Sequence, residues 1–300
     1  MKKTFQKTLI AASVGVVMLS AAGTASANSL LFPYFTTVGT AQSVLSLSLT
    51  TTAGNAKEDI HYVYNYGADC IHYDATGTLT NNDTLTHAIA AGSFNKVPTA
   101  DASTGVYFPL ADTGFLVVST KSSATAGLRG SMAIIDLTNN LVVSYPGIDN
   151  GGDTSGVREG DFSGITDKNF GLAFLPSAVA TTSWFGVVVG NMNSVISTGA
   201  NWAAKMSYLN SGAVFDNDEV SYSGTNTAKV LTCQGVVKPA DLMTTAQATS
   251  VGVNGGFIRA SGTGAGGGTG VVFVKQQLLG AGAGSYSGKT VQHREAAASF

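Results

Sequence analysis

An all-β fold is the class that the sequence predicts: an antiparallel β-sandwich with long loops and one or two short helices. Glycine supplies 37 of the 300 residues, and serine, threonine, valine and alanine are also frequent. Several short segments alternate apolar and polar side chains, which is typical of half-buried strands. Turn-forming residues separate these segments, so the chain has the composition and the spacing of many short strands joined by tight turns.

The first 27 residues are predicted to be a signal peptide. Three lysines lie among the first seven residues, an apolar stretch follows at Leu9–Leu19, and Ala25–Ala27 fits a cleavage site before Asn28. The protein is therefore expected to be exported from a bacterial cell to the periplasm, the outer surface or the medium. No later stretch has the ~20 apolar residues that a membrane-spanning helix needs, so no transmembrane helix is predicted in the mature chain.

The mature chain is predicted to carry little charge. Of the 16 basic residues, three lie in the leader, which leaves 13 against 18 acidic residues. A mildly acidic chain has no electrostatic footprint for nucleic acid, so nucleic-acid binding is excluded from the expected functions. We predict a β-sandwich domain over residues 28–280, with two packed sandwiches as the alternative, and a low-complexity C-terminal segment over residues 281–300.

The clearest predicted strand lies at Ser43–Thr51. Leu45, Leu47 and Leu49 alternate there with serine and threonine. A period of two places the three leucines on one face of a strand and the polar residues on the other. An apolar, aromatic cluster at Leu30–Phe35 opens the mature chain just before this strand.

A hairpin is predicted at Asp59–Asp74, because turn-forming residues at Gly67–Asp69 separate two aromatic runs. The register of this hairpin matters for its chemistry. With a three-residue turn, His61 and His72 fall on opposite faces, whereas a slip of one residue puts both histidines on one face.

Further strands and two short helical segments are predicted along the rest of the chain. The strand candidates are Gly105–Leu110, Gly114–Thr120, Ser131–Asp136, Leu141–Tyr145, Phe170–Leu175, Trp184–Val189, Ala213–Phe215, Glu219–Tyr222, Ala228–Val237, Phe257–Ala260 and Val271–Val274. Trp202, Met206 and Leu209 have helical spacing, which predicts a helix at Asn201–Leu209. A helical turn is predicted at Pro239–Met243, since proline favours the first helical position.

Short motifs along most of the chain resemble a family of exported bacterial all-β proteins that has no established activity. The motifs are Leu31-Phe32-Pro33-Tyr34, His61-Tyr62-Val63-Tyr64, Cys70 followed by His72 and Asp74, Asn82-Asp83, Gly114–Val118, Gly130–Asp136 and Cys233 followed by Gly235. The resemblance implies secretion and a shared fold, and it assigns no catalytic residue.

The two cysteines, Cys70 and Cys233, are predicted to form a disulfide, because they are a single pair in an exported chain. In the chain-entropy model, closing so long a loop stabilises the fold by roughly 5 kcal/mol. If the cysteines lie on neighbouring strands, the bond ties the early hairpin to a late strand. A redox or metal role has less support, since the sequence contains no C-x-x-C motif.

Histidines near the hairpin suggest a metal site. His61, His72 and His87 are close in sequence to Asp74, and histidine is the commonest transition-metal ligand. The alternative, which we favour, is that histidines and tyrosines cover a half-exposed sheet and satisfy each other's hydrogen bonds. It is favoured because the sequence has no H-x-x-x-H pair of ligand spacing.

A row of tyrosines is the candidate ligand-binding face of the hairpin. If Tyr62, Tyr64 and Tyr66 face solvent, their rings could stack on a sugar. Packing of the same rings in the core is the alternative.

Calcium is the one cofactor that the sequence supports. The candidate ligands in a glycine-rich loop are Asp149, Asn150, Asp153, Glu159 and Asp161, and Asp216–Glu219 is a second acidic cluster. Calcium binds six to eight oxygens of such groups. The alternative is a solvated polar loop, since neither segment matches an EF-hand pattern.

The function that we predict is non-enzymatic. The sequence contains no G-x-S-x-G, S-x-x-K or H-E-x-x-H motif, so no catalytic residue is assigned. We predict a secreted cell-envelope or surface protein that acts by interaction or assembly, with copies of itself or with envelope partners. Two alternatives stay open: a carbohydrate- or other ligand-binding β-sandwich, and a secreted hydrolase with a dispersed site.

Overall fold

A computed structural model gives the fold of two compact units. It describes residues 28–50, 57–89, 94–96, 105–107, 112–120, 127–136, 141–150, 160–193, 199–224, 227–252, 254–279 and 290–294. The first unit comprises Met1–Val63, Tyr73–Thr138 and Val142–Gly160, and the second comprises Tyr64–His72, Asn139–Leu141 and Asp161–Phe300. The predicted signal peptide lies outside the described residues.

The first unit is built mainly from two antiparallel sheets. Its strands are β1 (Ser29–Thr36), β2 (Gln42–Thr50), β3 (Lys57–Tyr66), β4 (Ile71–Thr80), β5 (Thr84–Ile89), β6 (Phe94–Lys96), β7 (Gly105–Tyr107), β8 (Thr113–Thr120), β9 (Gly127–Asp136), β10 (Leu141–Pro146) and β11 (Ile148–Asp149). One sheet has the order β11-β1-β8-β3-β4, the other has the order β10-β9-β2-β5, and β6 pairs with β7. The residues at the turn of the β3–β4 hairpin, 64–72, belong to the second unit.

The two sheets of the first unit pack face to face. The Phe32 side chain of β1 is fully buried, and a Cβ added at Gly130 of β9 would lie 3.1 Å from its ring. Because β1 and β9 belong to different sheets, this close approach joins the two layers of a sandwich. The leucines of β2 are at most 1% exposed, as their alternation with serine predicted.

The β3–β4 hairpin is confirmed, but its turn is one residue longer than predicted. The turn contains Gly67–Cys70, and β4 begins at Ile71. Cys70 has a left-handed φ of +52°, and its N–H donates to the Gly67 carbonyl over 3.3 Å. Cys70 therefore closes the turn, and the three-residue turn was wrong.

The second unit contains one large antiparallel sheet. Its strands are β12 (Asn169–Phe174), β13 (Ala180–Val189), β14 (Lys205–Asp216), β15 (Ser221–Ser223), β16 (Ala228–Thr232), β17 (Gln234–Val237), β18 (Gly256–Ala265), β19 (Gly270–Leu279) and β20 (Thr290–Arg294). The order is β12-β18-β14-β16-β17-β13-β19-β20, and β15 pairs with β14. Strand β20 lies within the predicted low-complexity segment.

This sheet curls over its own core. Phe170 of β12 and Phe273 of β19 are separated by five strands in the sheet order, yet their ring centroids are 4.9 Å apart in an edge-to-face arrangement. Tyr208 of β14 lies 5.2 Å from Phe273. Rings from distant strands can meet only if the sheet bends, so the single sheet supplies both layers around this aromatic core.

The helix predicted at Asn201–Leu209 was wrong, because residues 205–209 form the start of β14. Met206 and Tyr208 are fully buried, whereas Leu209 is 40% exposed. The burial alternates with a period of two, and pairing with β16 and β18 on either side outweighs the apparent helical spacing.

The described helical structure lies elsewhere in the second unit. A 3₁₀ turn at Pro239–Asp241 falls within the predicted helical turn, and helix α1 spans Thr245–Val251. Thr244 caps α1, since its hydroxyl accepts a hydrogen bond from the Gln247 amide. Among the described residues, no helix is long and apolar enough to span a membrane.

Candidate ligand-binding cleft

A candidate site forms around the turn that joins β14 to β15. The Asp216 carboxylate organises this turn: its Oδ1 accepts hydrogen bonds from the Asp218 and Val220 amides, both over 2.9 Å. Its Oδ2 accepts a bond from the Tyr222 hydroxyl, also over 2.9 Å. Side chains that bond to the backbone two residues on are a common way to fix a tight turn.

These hydrogen bonds set the charge of the Asp216 side chain. Burial by itself raises the pKa of the carboxyl, but hydrogen bonds from the Val220 amide, the Tyr222 hydroxyl and the Asp218 amide outweigh burial and lower that pKa. The same contact raises the pKa of the Tyr222 hydroxyl, because its proton is shared with an anion. Asp216 is therefore ionised and committed to the turn at neutral pH.

Glu219 occupies the tip of this turn with its side chain exposed. Its φ is +64°, a left-handed value that is uncommon for a residue with a side chain. Its N–H donates to the Asp216 carbonyl over 3.1 Å. The turn thus presents the Glu219 carboxylate next to the ends of β14 and β18.

Two aromatic rings and a guanidinium form the adjoining surface. Phe215 of β14 lies opposite Phe257 of β18, and their ring centroids are 6.4 Å apart. Arg259 follows Phe257 by two residues and therefore projects from the same face of β18. Its guanidinium carbon lies 5.1 Å from the Phe215 ring centroid, a cation–π contact.

These five residues line an open cleft of about 350 Å³, with Asp216 and Glu219 beside Phe215, Phe257 and Arg259. Planar apolar surfaces with a few polar groups are typical of sites that bind small ligands. The described lining contains no histidine and no hydroxyl or thiol nucleophile. Its chemistry suits recognition: stacking on a ring, donation from a guanidinium and acceptance by a carboxylate.

The predicted disulfide is present. Cys70 and Cys233 are bonded, with their Cα atoms 6.4 Å apart, and both residues are at most 1% exposed. Cys233 lies between β16 and β17, where its N–H donates to the Ala204 carbonyl and its carbonyl accepts from the Val188 amide. The bond fastens the Gly67–Cys70 turn to the large sheet.

Side-chain amides reinforce the same turn. Asn201 Oδ1 accepts from the His72 amide over 3.1 Å, and Asn201 Nδ2 donates to the Asp69 carbonyl over 3.3 Å. Gln234 Nε2 donates to the Gly67 carbonyl over 3.2 Å. The turn is therefore held by one covalent bond and three side-chain hydrogen bonds.

The predicted tyrosine row is not a solvent-facing surface. Tyr62 and Tyr64 are fully buried, and Tyr66 is half-buried. Burial raises the pKa of the Tyr62 hydroxyl. Rings with no exposed area cannot stack on a sugar, so Tyr62 and Tyr64 pack as core residues.

The histidines of the hairpin are in different settings. His61 is buried, and its Nε2 lies 3.4 Å from Asp74 Oδ1. The His72 backbone is bound by Asn201, and the His87 side chain lies outside the described residues. Within the described part of the chain, no group of three or more His, Cys, Asp or Glu side chains is placed to hold a metal ion.

The predicted calcium ligands are only partly described. Asp153 and Glu159 lie outside the described residues. Asp149 of β11 pairs with Leu30 of β1. Asn150 is 4% exposed. Asp161 accepts from the Ser163 amide and from Asn191 Nδ2. The calcium site stays a prediction, and the oxygens of Asp161 already have protein donors.

The sequence indicated one side of the cleft and missed the other. Asp216–Glu219 was visible as an acidic cluster, but the Asp216 carboxylate accepts hydrogen bonds within the turn. Phe257 and Arg259 lie about forty residues away, and only the β14–β18 register brings them to Phe215. The spacing of Phe257 and Arg259 by two on a predicted strand is the signal that could have placed both on one face.

No protein-family model matches the chain, and no curated protein is significantly similar to it. The proposals below therefore rest on the residues and their geometry.

Proposed function

We propose that the protein is an exported component of the bacterial cell envelope or surface and that it acts by associating with copies of itself, without catalysis. The leader-like N-terminus and the disulfide support export, because disulfides persist in oxidising compartments. The weakly charged chain supports association, since few like charges oppose contact between copies.

The observation that carries this proposal is the edge strand β4. It lies at the end of its sheet and is hydrogen-bonded to β3 alone among the described strands. It is ten residues long and contains neither lysine nor proline, the residues that most often protect sheet edges from pairing with another chain. An edge segment without these protecting residues can act as a template for strand addition.

The open part of this edge is Ala75–Thr80. Burial alternates along it, with Ala75 and Leu79 buried and Thr76 and Thr80 exposed. Threonine has high β-propensity. Its exposed hydroxyl can contact either water or a neighbouring strand. The segment therefore resembles an inner strand in its side chains, although it lies at the edge of the sheet.

Strand β5 lies at the same margin of the first unit. The turn between β4 and β5 contains Asn82, whose left-handed φ of +64° allows the chain to reverse. The Asn82 amide donates to the Leu49 carbonyl of β2, which binds the turn to the second sheet. Among the described strands, both sheets of the sandwich therefore end on this side, at β4 and at β5.

A second copy of the chain is the occupant that fits this edge. Antiparallel pairing of β4 with β4 of another copy generates a two-fold symmetric contact in which both edges are satisfied at once. The sheet would then continue from one copy to the next, and β5 could extend the contact to the second layer.

The absence of catalysis is supported by the groups in the cleft. Asp216 is held ionised by three hydrogen bonds and cannot serve as a proton donor at neutral pH. The described lining offers no nucleophile that a base could activate.

The test is the association state of the purified protein by sedimentation velocity over a wide concentration range. We expect a reversible dimer or larger species whose fraction rises with concentration. The double variant Thr76→Lys/Thr80→Lys should raise the dissociation constant at least tenfold, because two-fold pairing brings like charges across the new strand pair.

The matched control is Ser261→Lys/Thr263→Lys. Both residues are exposed on β18, a strand that is hydrogen-bonded on both sides. This variant adds the same charge and should associate like the parent. A protein that stays monomeric throughout, or equal weakening by both variants, would contradict the proposal.

A further inference from the structure

We propose that the cleft between the β14–β15 turn and β18 binds a neutral carbohydrate, with a sugar ring on Phe257 and sugar hydroxyls held by Arg259 and Glu219. This site is in the second unit and shares no residue with the β4 edge. It is therefore a separate activity, and it does not depend on self-association.

The first step of the argument concerns the aromatic floor. A Cβ added at Gly171 of the neighbouring strand β12 would lie 2.5 Å from both Cε2 and Cζ of Phe257, so that edge of the ring abuts the glycine backbone. The ring is half-buried, and its remaining surface lines the cleft. A ring whose edge is held by the neighbouring strand has a fixed orientation, and its accessible part can contact the apolar face of a sugar.

The second step concerns the donors. The Arg259 guanidinium is exposed and stacked on Phe215, which limits the positions that its long side chain can take. A guanidinium carries five N–H donors in a planar fork that can bind two neighbouring oxygens. Adjacent sugar hydroxyls present such a pair, and the stacked arginine is already oriented toward the cleft that it lines.

The third step concerns the acceptor. Glu219 is exposed at the tip of a turn whose backbone is fixed by the Asp216 carboxylate. An ionised carboxylate accepts hydrogen bonds from hydroxyl groups that are shorter and stronger than those between neutral groups. Arg259 and Glu219 therefore supply a hydrogen-bond donor and a hydrogen-bond acceptor for sugar hydroxyls in the same cleft.

Charge selects a neutral ligand over an anionic one. The lining carries two carboxylates and one guanidinium, so a polyanion would meet a net negative surface. The guanidinium is also shared with the Phe215 ring. Because the cleft is open and not enclosed, it suits one or two residues of a longer glycan better than a small metabolite that must be surrounded.

The cleft is expected to bind the glycan without cleaving it. Glycoside hydrolysis needs one carboxyl group that is protonated at working pH and a second that is ionised. Asp216 donates no proton, because its oxygens accept the Asp218, Val220 and Tyr222 hydrogen bonds. With Asp216 committed to the turn, the described lining offers Glu219 as its one other carboxyl, whereas the reaction needs a pair.

The experiment is isothermal titration calorimetry of the whole protein with five neutral hexasaccharides: cellohexaose, maltohexaose, mannohexaose, xylohexaose and chitohexaose. We expect at least one to bind with a dissociation constant of millimolar or lower. Phe257→Ala should weaken that binding at least tenfold, and Arg259→Lys about fivefold or more, because lysine keeps the charge and loses the planar fork.

Glu219→Gln is the variant that cannot be mistaken for unfolding, since the side chain is exposed on a turn. It should weaken binding several-fold and leave the circular dichroism spectrum unchanged. The matched control is Val230→Ala, which alters an exposed side chain of β16 outside the cleft, and it should bind like the parent.

Three outcomes would overturn the proposal. The first is that no neutral hexasaccharide gives a heat of binding at about 1–10 mM, the concentration range of weak single-site binding. The second is that the Glu219→Gln and Phe257→Ala variants bind as tightly as the parent protein. The third is that an anionic oligogalacturonate binds more tightly than the neutral sugars. Hydrolysis of the bound sugar would contradict the non-catalytic assignment as well. Loss of self-association with retained sugar binding would count against the proposed function alone.

Discussion

Two turns of this protein are held in different ways. The Gly67–Cys70 turn is fixed by the Cys70–Cys233 disulfide and by amides of Asn201 and Gln234. In the turn between β14 and β15, the Asp216 carboxylate accepts three hydrogen bonds that supplement those of the backbone. Each contains a residue in the left-handed region that is not glycine, Cys70 in one and Glu219 in the other.

The comparison teaches what each turn responds to. A left-handed residue with a Cβ is disfavoured by about 1–3 kcal/mol, so surrounding contacts must hold it. At Cys70 the holding contact is covalent and depends on oxidation. Around Glu219 the holding contacts are hydrogen bonds to the Asp216 carboxylate, which depend on its charge and therefore on pH. The first turn is suited to a permanent structural role, whereas the second can be loosened without breaking a covalent bond.

The largest effect is expected from removing the disulfide. Cys70→Ser/Cys233→Ser opens a loop with a sequence separation of 163 residues, which should lower the free energy of unfolding by up to about 5 kcal/mol in the chain-entropy model. Urea unfolding followed by fluorescence of the two tryptophans measures the loss. Reduction of the parent protein should give a similar midpoint, and an unchanged midpoint in both would contradict a structural role.

The second effect concerns Asp216→Ala. This variant removes the acceptor of three hydrogen bonds and leaves the Asp218 and Val220 amides to water, so the turn should lose its order. Amide hydrogen exchange over residues 216–222 should accelerate, while exchange over 67–72 should stay slow. Acceleration at both turns would show that the two are not independently held.

The third effect is the pH dependence of the same turn. The pKa of Asp216 is lower in the folded protein than its unfolded value, which is about 3.9. The stabilisation is therefore fully present above that unfolded value and is lost as the pH falls through the lower folded pKa. Asp216→Asn should flatten this part of the acid-unfolding curve, whereas the disulfide variant should keep it.

The smallest effect is expected from Asn201→Ala. It removes the hydrogen bonds to the His72 amide and the Asp69 carbonyl, both at the surface, which should lower the free energy of unfolding by about 1 kcal/mol. With the disulfide intact, the turn should keep its conformation by NMR chemical shift. A loss as large as that of the disulfide variant would mean that the amide is the main fastening.

Local patterns predicted the first unit better than the second. The alternation of Leu45, Leu47 and Leu49 was sufficient to place β2 and its buried face, because burial on one face of a strand leaves a period of two. At Asn201–Leu209 a chance helical spacing led to the wrong prediction of a helix, because strand pairing on both sides of β14 is a non-local effect. The length of the 67–70 turn depended on Cys70, whose left-handed conformation no short-range rule indicated.

The candidate site shows the same limit. The pairing of Cys70 with Cys233 followed from simple counting, and the acidic cluster at Asp216–Glu219 was visible in the sequence. The role of Asp216 was not visible, because it depends on which donors the turn points toward it. The joining of Phe215 to Phe257 and Arg259 required the strand register, which is set by the whole sheet.

The most direct measurement is hydrogen exchange of β4 at two protein concentrations, one well below and one well above the midpoint of association. Self-association through this edge predicts that amides within Ala75–Thr80 exchange more slowly at the high concentration, while those of β18 are unchanged. The Thr76→Lys/Thr80→Lys variant should lose the difference. Exchange in β4 that is the same at both concentrations, in a protein that does associate, would contradict the account.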